Sequence, residues 1–160
     1  MKSPEPFKGD ILIVDDTIAN LRLLSTMLTR QGYKVRGVPN GALALTGAQS
    51  APPDLILLDI NMPEMNGYEV CQHLKADDRT RDIPVIFISA LDEALDKVKA
   101  FTAGGVDYIT KPVQLEEVLA RVENHLTLRR LQEQLREANT GLERANDELG
   151  RSNDELEQRV

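Results

Sequence analysis

At 160 residues, 41% hydrophobic and 28% charged, the chain has room for one globular domain of ordinary size with something appended. Its net charge of −7 leaves no basic footprint for nucleic acid, and its single cysteine, Cys71, leaves no disulfide framework and no cysteine-based zinc cluster. Residues 1–8 carry two prolines and two lysines without an apolar run, so they read as a disordered lead-in rather than a secretory signal. No segment approaches the roughly 20 apolar residues of a membrane span, and the expected location is cytoplasmic.

Asp10–Val14 is a β-branched run that ends at the acidic pair Asp15-Asp16. A helix is predicted from about Thr17 to Gln31, with Ile18, Leu21, Leu24 and Leu28 at three- and four-residue spacing and Gly32 as its stop. Tyr33–Val38 reads as a second strand, and Asn40-Gly41 opens a helix to about Ser50 with Leu43 and Leu45 as packing residues. In Leu55–Asp59, an unbroken apolar run marks a strand buried on both faces, the central kind in a parallel sheet. It ends in a carboxylate, followed by Asn61, Pro63 and Gly67. A third helix covers Tyr68 to about Lys75 and takes in Cys71 as a small buried hydrophobe. Pro84–Ser89 is another strand, its proline tolerable at the first position. A fourth helix, about Glu93 to Thr102, presents Leu95, Val98 and Phe101 as its inner face until Gly104-Gly105 breaks it. Val106–Thr110 is a fifth strand, and Lys111-Pro112 leads into a fifth helix from about Gln114.

Strands alternating with helices in this way describe an α/β fold with a doubly wound, five-stranded parallel sheet. The flavodoxin-like order 2-1-3-4-5 is one of its two common forms. It sets the first and third strands side by side, so that Asp15, Asp16 and Asp59 share the crevice where such sheets bind ligands. On this reading one domain occupies residues 9–126.

The tail, residues 127–160, follows another rule. Leu128, Leu135, Leu142, Leu149 and Leu156 recur every seven residues, with Leu131, Ala138, Ala145 and Ser152 between them, the a/d pattern of a coiled coil. Small d residues, and Gly141 and Gly150 in the helix interior, make it a weak one. The apolar stripe slips by two residues between Leu119, Val122, Leu126 and Leu128, Leu131, Leu135, which turns it to the opposite side of a continuous helix. One unbroken helix from about Gln114 into the tail is predicted, pairing as a parallel homodimer. A polar helix without a partner, or a disordered tail, is the alternative.

Three carboxylates at adjacent strand ends repel one another unless a cation joins them. A hard divalent ion such as Mg²⁺ takes such oxygen ligands together with water and phosphate oxygens. Ser89 and Lys111 end the fourth and fifth strands and would face the same crevice, a hydroxyl and an ammonium suited to phosphoryl oxygens. A nucleophilic carboxylate, a metal and two donors describe formation of an aspartyl phosphate. Taken singly, each residue has a plainer reading: Asp59 as a helix cap, Ser89 as a strand-end cap, Lys111 as a surface lysine, Tyr108 as an edge-strand aromatic. His73 and His125 lack a second histidine at metal spacing and read as structural, and Met62 and Met65 as loop packing.

Asp15-Asp16, Asp59 in Asp-Ile-Asn-Met-Pro with Gly67 downstream, Ser89, and Asp107-Tyr108-Ile-Thr-Lys111-Pro112 together resemble the receiver domain of two-component response regulators, over about residues 9–126. The resemblance implies that Asp59 accepts phosphate from a histidine kinase or phosphotransfer protein. It further implies that Asp16, Asp59 and the Asn61 carbonyl bind Mg²⁺ directly, with Asp15 acting through water. Lys111 would contact the phosphoryl group, Ser89 and Tyr108 would form a switch pair, and the peptide before Pro112 would be cis. An autonomous hydrolase of haloacid-dehalogenase type is the competing reading, although that class wants Asp-x-Asp after its first strand. A flavodoxin-like FMN carrier is a third, against which the acidic crevice counts. No DNA-binding segment is recognised, and the heptads running to Val160 suggest a coil that leads into an output enzyme such as a histidine kinase, diguanylate cyclase or nucleotide cyclase. The receiver itself would not be an enzyme beyond taking up and losing its own phosphoryl group.

Overall fold

In β1 (Asp10–Val14), β3 (Leu55–Asp59) and β4 (Val85–Ser89), side chains alternate between two separate cores. Leu12, Val14, Ile56, Leu58, Val85 and Phe87 enter one, and Ile11, Ile13, Leu55, Leu57, Ile86 and Ile88 the other. A two-residue period with both faces covered is why these runs are apolar along their interior. The structure is a computed structural model that describes residues 7–90 and 97–158, the side chains of residues 97 and 152–158 excepted. Residues 1–6 of the expected lead-in lie outside that range, as does Leu95. The described chain is tied down from Lys8, whose N–H donates to the Gly32 carbonyl at 2.8 Å. Gly32 itself has a φ of +97°, the left-handed conformation in which a glycine ends a helix without strain.

With β2 (Lys34–Val38) and β5 (Asp107–Thr110) at its edges, the sheet is wholly parallel in the order β2-β1-β3-β4-β5. Helix α1 (Ile18–Arg30) and the first turns of α5 (Leu115–Gln158) cover one face through Leu24, Leu28, Val118, Val122 and Leu126. Helices α2 (Gly41–Ser50), α3 (Gly67–Ala76) and α4 (Lys97–Ala103) cover the other. The fold is the doubly wound one that the sequence predicts.

Three inner faces differ from the prediction. Ile18 is exposed, although Leu24 and Leu28 of the same stripe are buried. Helix α2 packs through Ala44 and Ala48, with Leu45 partly buried against the same core as expected, while Leu43 faces water. Helix α4 packs through Ala100 and Ala103, leaving Val98 75% and Phe101 59% exposed. In α2 and α4, whose buried described residues are small, the reason is proximity. A helix that lies close against its neighbours admits only small side chains on its inner face, whereas hydrophobic periodicity weights the large ones. Cys71 is buried as expected, and burial pushes its thiol up to about 11, which makes it inert.

Two compact units make up the chain, the first ending at Leu126 and the second starting at Thr127. Helix α5 is unbroken through Gln158, as the stripe analysis predicts. Within the second unit Leu128, Leu131, Leu135, Leu142 and Leu149 are exposed; Leu156 lies on the helix with its side chain outside the described set. No described helix is long and apolar enough to cross a membrane.

Helix α3 is docked directly on the end of β3. The Gly67 N–H donates to the Ile60 carbonyl at 2.8 Å, and Asn66 and Glu69 close a reciprocal capping box around the first turn. A Cβ at position 67 would overlap the Asp59 carbonyl oxygen and sit 2.8 Å from Ile60 Cα. Gly67→Ala is therefore expected to cost at least about 2 kcal/mol, because backbone cannot yield as a side chain does. Urea unfolding checks this; Gly141→Ala, where a Cβ meets nothing within 4 Å, is the contrasting control and should not destabilise.

Candidate functional site

The parallel register assembles the site. Val14 pairs with Leu58, so the next residues, Asp15 and Asp59, leave their strands at the same height. Asp59 pairs with Ile88 and Ser89 with Thr110, which brings Ser89 and then Lys111 to the same end of the sheet. This is where the strand order reverses around β1 and β3, the position at which open α/β sheets leave a crevice.

Oxygens of Asp15, Asp16 and Asp59 lie within 4.8 Å of one another. Asp15 is fully buried, Asp59 nearly so, and Asp16 is exposed. Asp15 Oδ1 accepts the Thr17 N–H at 2.9 Å and lies 3.5 Å from Asn20 Nδ2. Lys111 Nζ stands 3.2 Å from Asp15 Oδ2 and 3.5 Å from Asp59 Oδ1. The contact with Asp15 is an ion pair without hydrogen-bond geometry, so Oδ2 is a buried acceptor that no donor among the described residues satisfies. One ammonium cannot neutralise three carboxylates, and an orphaned buried oxygen in an all-oxygen cluster fits a hard cation such as Mg²⁺ rather than a thiolate or imidazole metal.

Asp59 registers the imbalance. Burial pushes its carboxyl up to about 6, with repulsion from Asp15 and then Asp16 adding to the rise. Lys111 and a hydrogen bond from the Asn61 backbone N–H act in the opposite direction. Ser89 is buried at the end of β4, and Tyr108, partly buried, packs against the core beneath it. The Lys111–Pro112 peptide is cis. Between Asp59 and α3, Glu64 has a φ of 69° and the Met65 N–H donates to the Pro63 carbonyl at 2.8 Å, a tight γ-turn of the strained, positive-φ kind. Met62 packs in the core, and His73 stays apart from the carboxylates.

Two features had no signal in the sequence. A groove of about 370 Å³ opens beside Lys111, lined by Asn20, Leu23, Leu24, Ala90, Pro112 and Val113. Asp107 is a second junction: it accepts from Arg121 Nη1 at 2.8 Å and from the Tyr108 N–H at 2.8 Å, and lies 3.0 Å from His125 Nε2. Its partial burial works against ionisation, but these bonds, that of His125 first, hold the carboxyl below its ordinary range. The partners are 14 and 18 residues away on another element, a spacing that no local pattern reveals.

A model of the response regulator receiver domain matches residues 11–123. The chain belongs to this family. It is 45% identical over 112 residues to the DNA-binding dual master transcriptional regulator RpaA of Synechocystis, covering 70% of this chain and 46% of that protein. It is 42% identical over 127 residues to the response regulator PleD of Caulobacter vibrioides, covering 79% and 28%. Among solved structures, the signal receiver domain of a signal transduction histidine kinase from Syntrophus aciditrophicus superposes with a TM-score of 0.69 at 37% identity, covering 74% of this chain and 90% of that one. The chain spans less than half the length of RpaA or PleD. It is a phospho-accepting signalling module of the two-component class, and the haloacid-dehalogenase reading finds no support.

The raised carboxyl has a consequence for stability. Asp59 titrates near 3.8 when unfolded and about 6 when folded, so the folded chain binds the proton more tightly. Stability in the absence of divalent metal is then greatest below pH 4 as far as this group is concerned. It falls by about 3 kcal/mol as the pH rises to 7. Asp59→Asn should remove that fall and raise the melting temperature of the metal-free protein at pH 8. Thermal unfolding of both proteins at pH 5 and pH 8 in chelator is the check.

Proposed function

We propose that Asp59 is the phospho-acceptor and that residues 9–126 act as a receiver whose state is passed on through the helix of residues 127–160. The observation that carries this is the convergence of a buried, charge-strained Asp59 with Asp15, Asp16 and Lys111. Asp59 attacks the phosphorus of a phosphohistidine. An O–P bond forms, the N–P bond breaks, and its electron pair stays with the imidazole, which is protonated from solvent. Lys111 follows the phosphoryl oxygens from its place 3.5 Å from Asp59, and the Ser89 hydroxyl donates to a second oxygen. The movement of Ser89 leaves room into which Tyr108 turns.

Asp16, Asp59 and the Asn61 carbonyl would hold Mg²⁺ directly, and Asp15 through water. The ion, when bound, neutralises the carboxylates and the transferred phosphoryl oxygens. Response regulators interact with histidine kinases or phosphotransfer proteins, and the groove beside Lys111, with Leu23 exposed in its lining, offers a helical donor an apolar seat next to the acceptor. We assign the protein to the cytoplasm, where such donors act.

For the tail we propose a parallel homodimer through Leu128, Leu131, Leu135, Leu142, Leu149 and Leu156. In that alignment Gln134, Gly141 and Glu148 at g oppose Asn139, Asn146 and Asn153 at e, so no like charges meet across the seam. The dimer makes no direct contact with nucleic acid and conveys the change to an output element, which is enzymatic or otherwise.

Two measurements test this. With Mg²⁺ and a small acyl phosphate, intact mass should show one phosphoryl adduct that Asp59→Asn lacks; an adduct that survives the substitution refutes the acceptor. Sedimentation should show a dimer that Leu135→Asp with Leu142→Asp dissociates, and a wild-type monomer refutes the coil.

A further inference from the structure

The described residues of α4 bury little apolar area. Its buried described side chains are Ala100 and Ala103, while its larger ones, Val98 and Phe101, face solvent. Against that background one polar contact stands out. The Lys99 ammonium lies 4.8 Å from the centroid of the Tyr68 ring, within cation–π range. Tyr68 is 8% exposed, and its ring meets Phe87 of β4 at 5.4 Å with a tilt of 53°. It follows Gly67, the residue wedged against the backbone of Asp59 and Ile60. A chain of contacts thus runs from the carbonyl of the acceptor, through the first turn of α3, to a ring on which α4 rests by its lysine. This path does not pass through Ser89 or Tyr108.

We propose that Lys99 is a positioning residue: its contact with Tyr68 tethers α4 to α3 in the arrangement that precedes phosphoryl transfer. The arrangement is identified by Lys111, which here contacts the carboxylate of Asp59 itself, a place that a phosphoryl group takes over. A contact present in only one of two states opposes the switch to the other by its own free energy. Loss of the tether therefore lowers the cost of leaving this arrangement. The proposal rests on Asp59 as the acceptor.

The test is a double-mutant cycle on the full chain, with beryllofluoride and Mg²⁺ as the probe of the phosphorylated state. Lys99→Gln should bind beryllofluoride about two- to five-fold more tightly than wild type, the range of an exposed cation–π contact. Lys99→Arg and Tyr68→Phe keep cation and ring and should stay near wild type. In a Tyr68→Leu background Lys99→Gln should give no further tightening, whatever Tyr68→Leu does alone. Unchanged or weaker binding by Lys99→Gln, or equal tightening in both backgrounds, overturns the tether. Amide exchange over residues 97–103 decides independently of the probe: Lys99→Gln should speed it while β4 is unaffected, and unaltered exchange overturns the proposal. If no protein in the set, wild type included, takes up beryllofluoride, the acceptor reading has failed, and the exchange result still judges the tether.

Discussion

Everything at the active end of this molecule depends on the pairing of Val14 with Leu58. That register sets Asp15 and Asp59 side by side, and a slip of one strand by one residue would turn its carboxylate to the other face. The apolar interiors of the two strands fix it, because each side chain must enter one of two filled cores. Hydrophobic burial thus holds together carboxylates that repel one another; burial first, and repulsion from Asp15 after it, raises the carboxyl of Asp59, and no described donor satisfies one buried oxygen of Asp15. On the proposed reading, a site strained in this way is poised to take up positive charge and, with it, a phosphoryl group.

The firmness of attachment differs from helix to helix. Helix α3 is fixed to the end of β3 by a backbone hydrogen bond, a capping box and a glycine that leaves no gap. The first turns of α5 are held by Val118, Val122 and Leu126 in the core and by the bonds of Asp107 to Arg121 and His125. Apolar contacts tolerate sliding, whereas these directional bonds set the axial position of α5 against β5. The described residues of α4 contribute two buried alanines and a lysine on a ring. Segments with few buried apolar contacts are in general the ones best able to move.

Much of this was legible in the residues. The doubly apolar strands, the breaks between them and the acidic ends of β1 and β3 gave the layer architecture and the candidate acceptor before any geometry. Strand-end position pointed to Ser89 and Lys111 as phosphoryl-oxygen donors, whereas only the family resemblance supplied the proposed roles of Tyr108 and Asn61, which spacing alone left without one. The inner faces of α2 and α4 were misread because Leu43, Val98 and Phe101 outweigh alanines in any hydrophobic pattern, while the space between packed elements admits only the alanines.

By itself the sequence determined the strand and helix alternation, the two-sided core and the heptad spacing of the tail, since each is a periodicity that neighbouring residues enforce locally. Tertiary structure alone decided which carboxylate is buried with an oxygen that no described donor satisfies, how far the acidity of Asp59 is displaced, and that Asp107 joins Arg121 to His125 and Lys99 meets Tyr68. Those are encounters between elements far apart in the chain, and their strength depends on distance and burial, quantities that exist only once the sheet has brought the elements together.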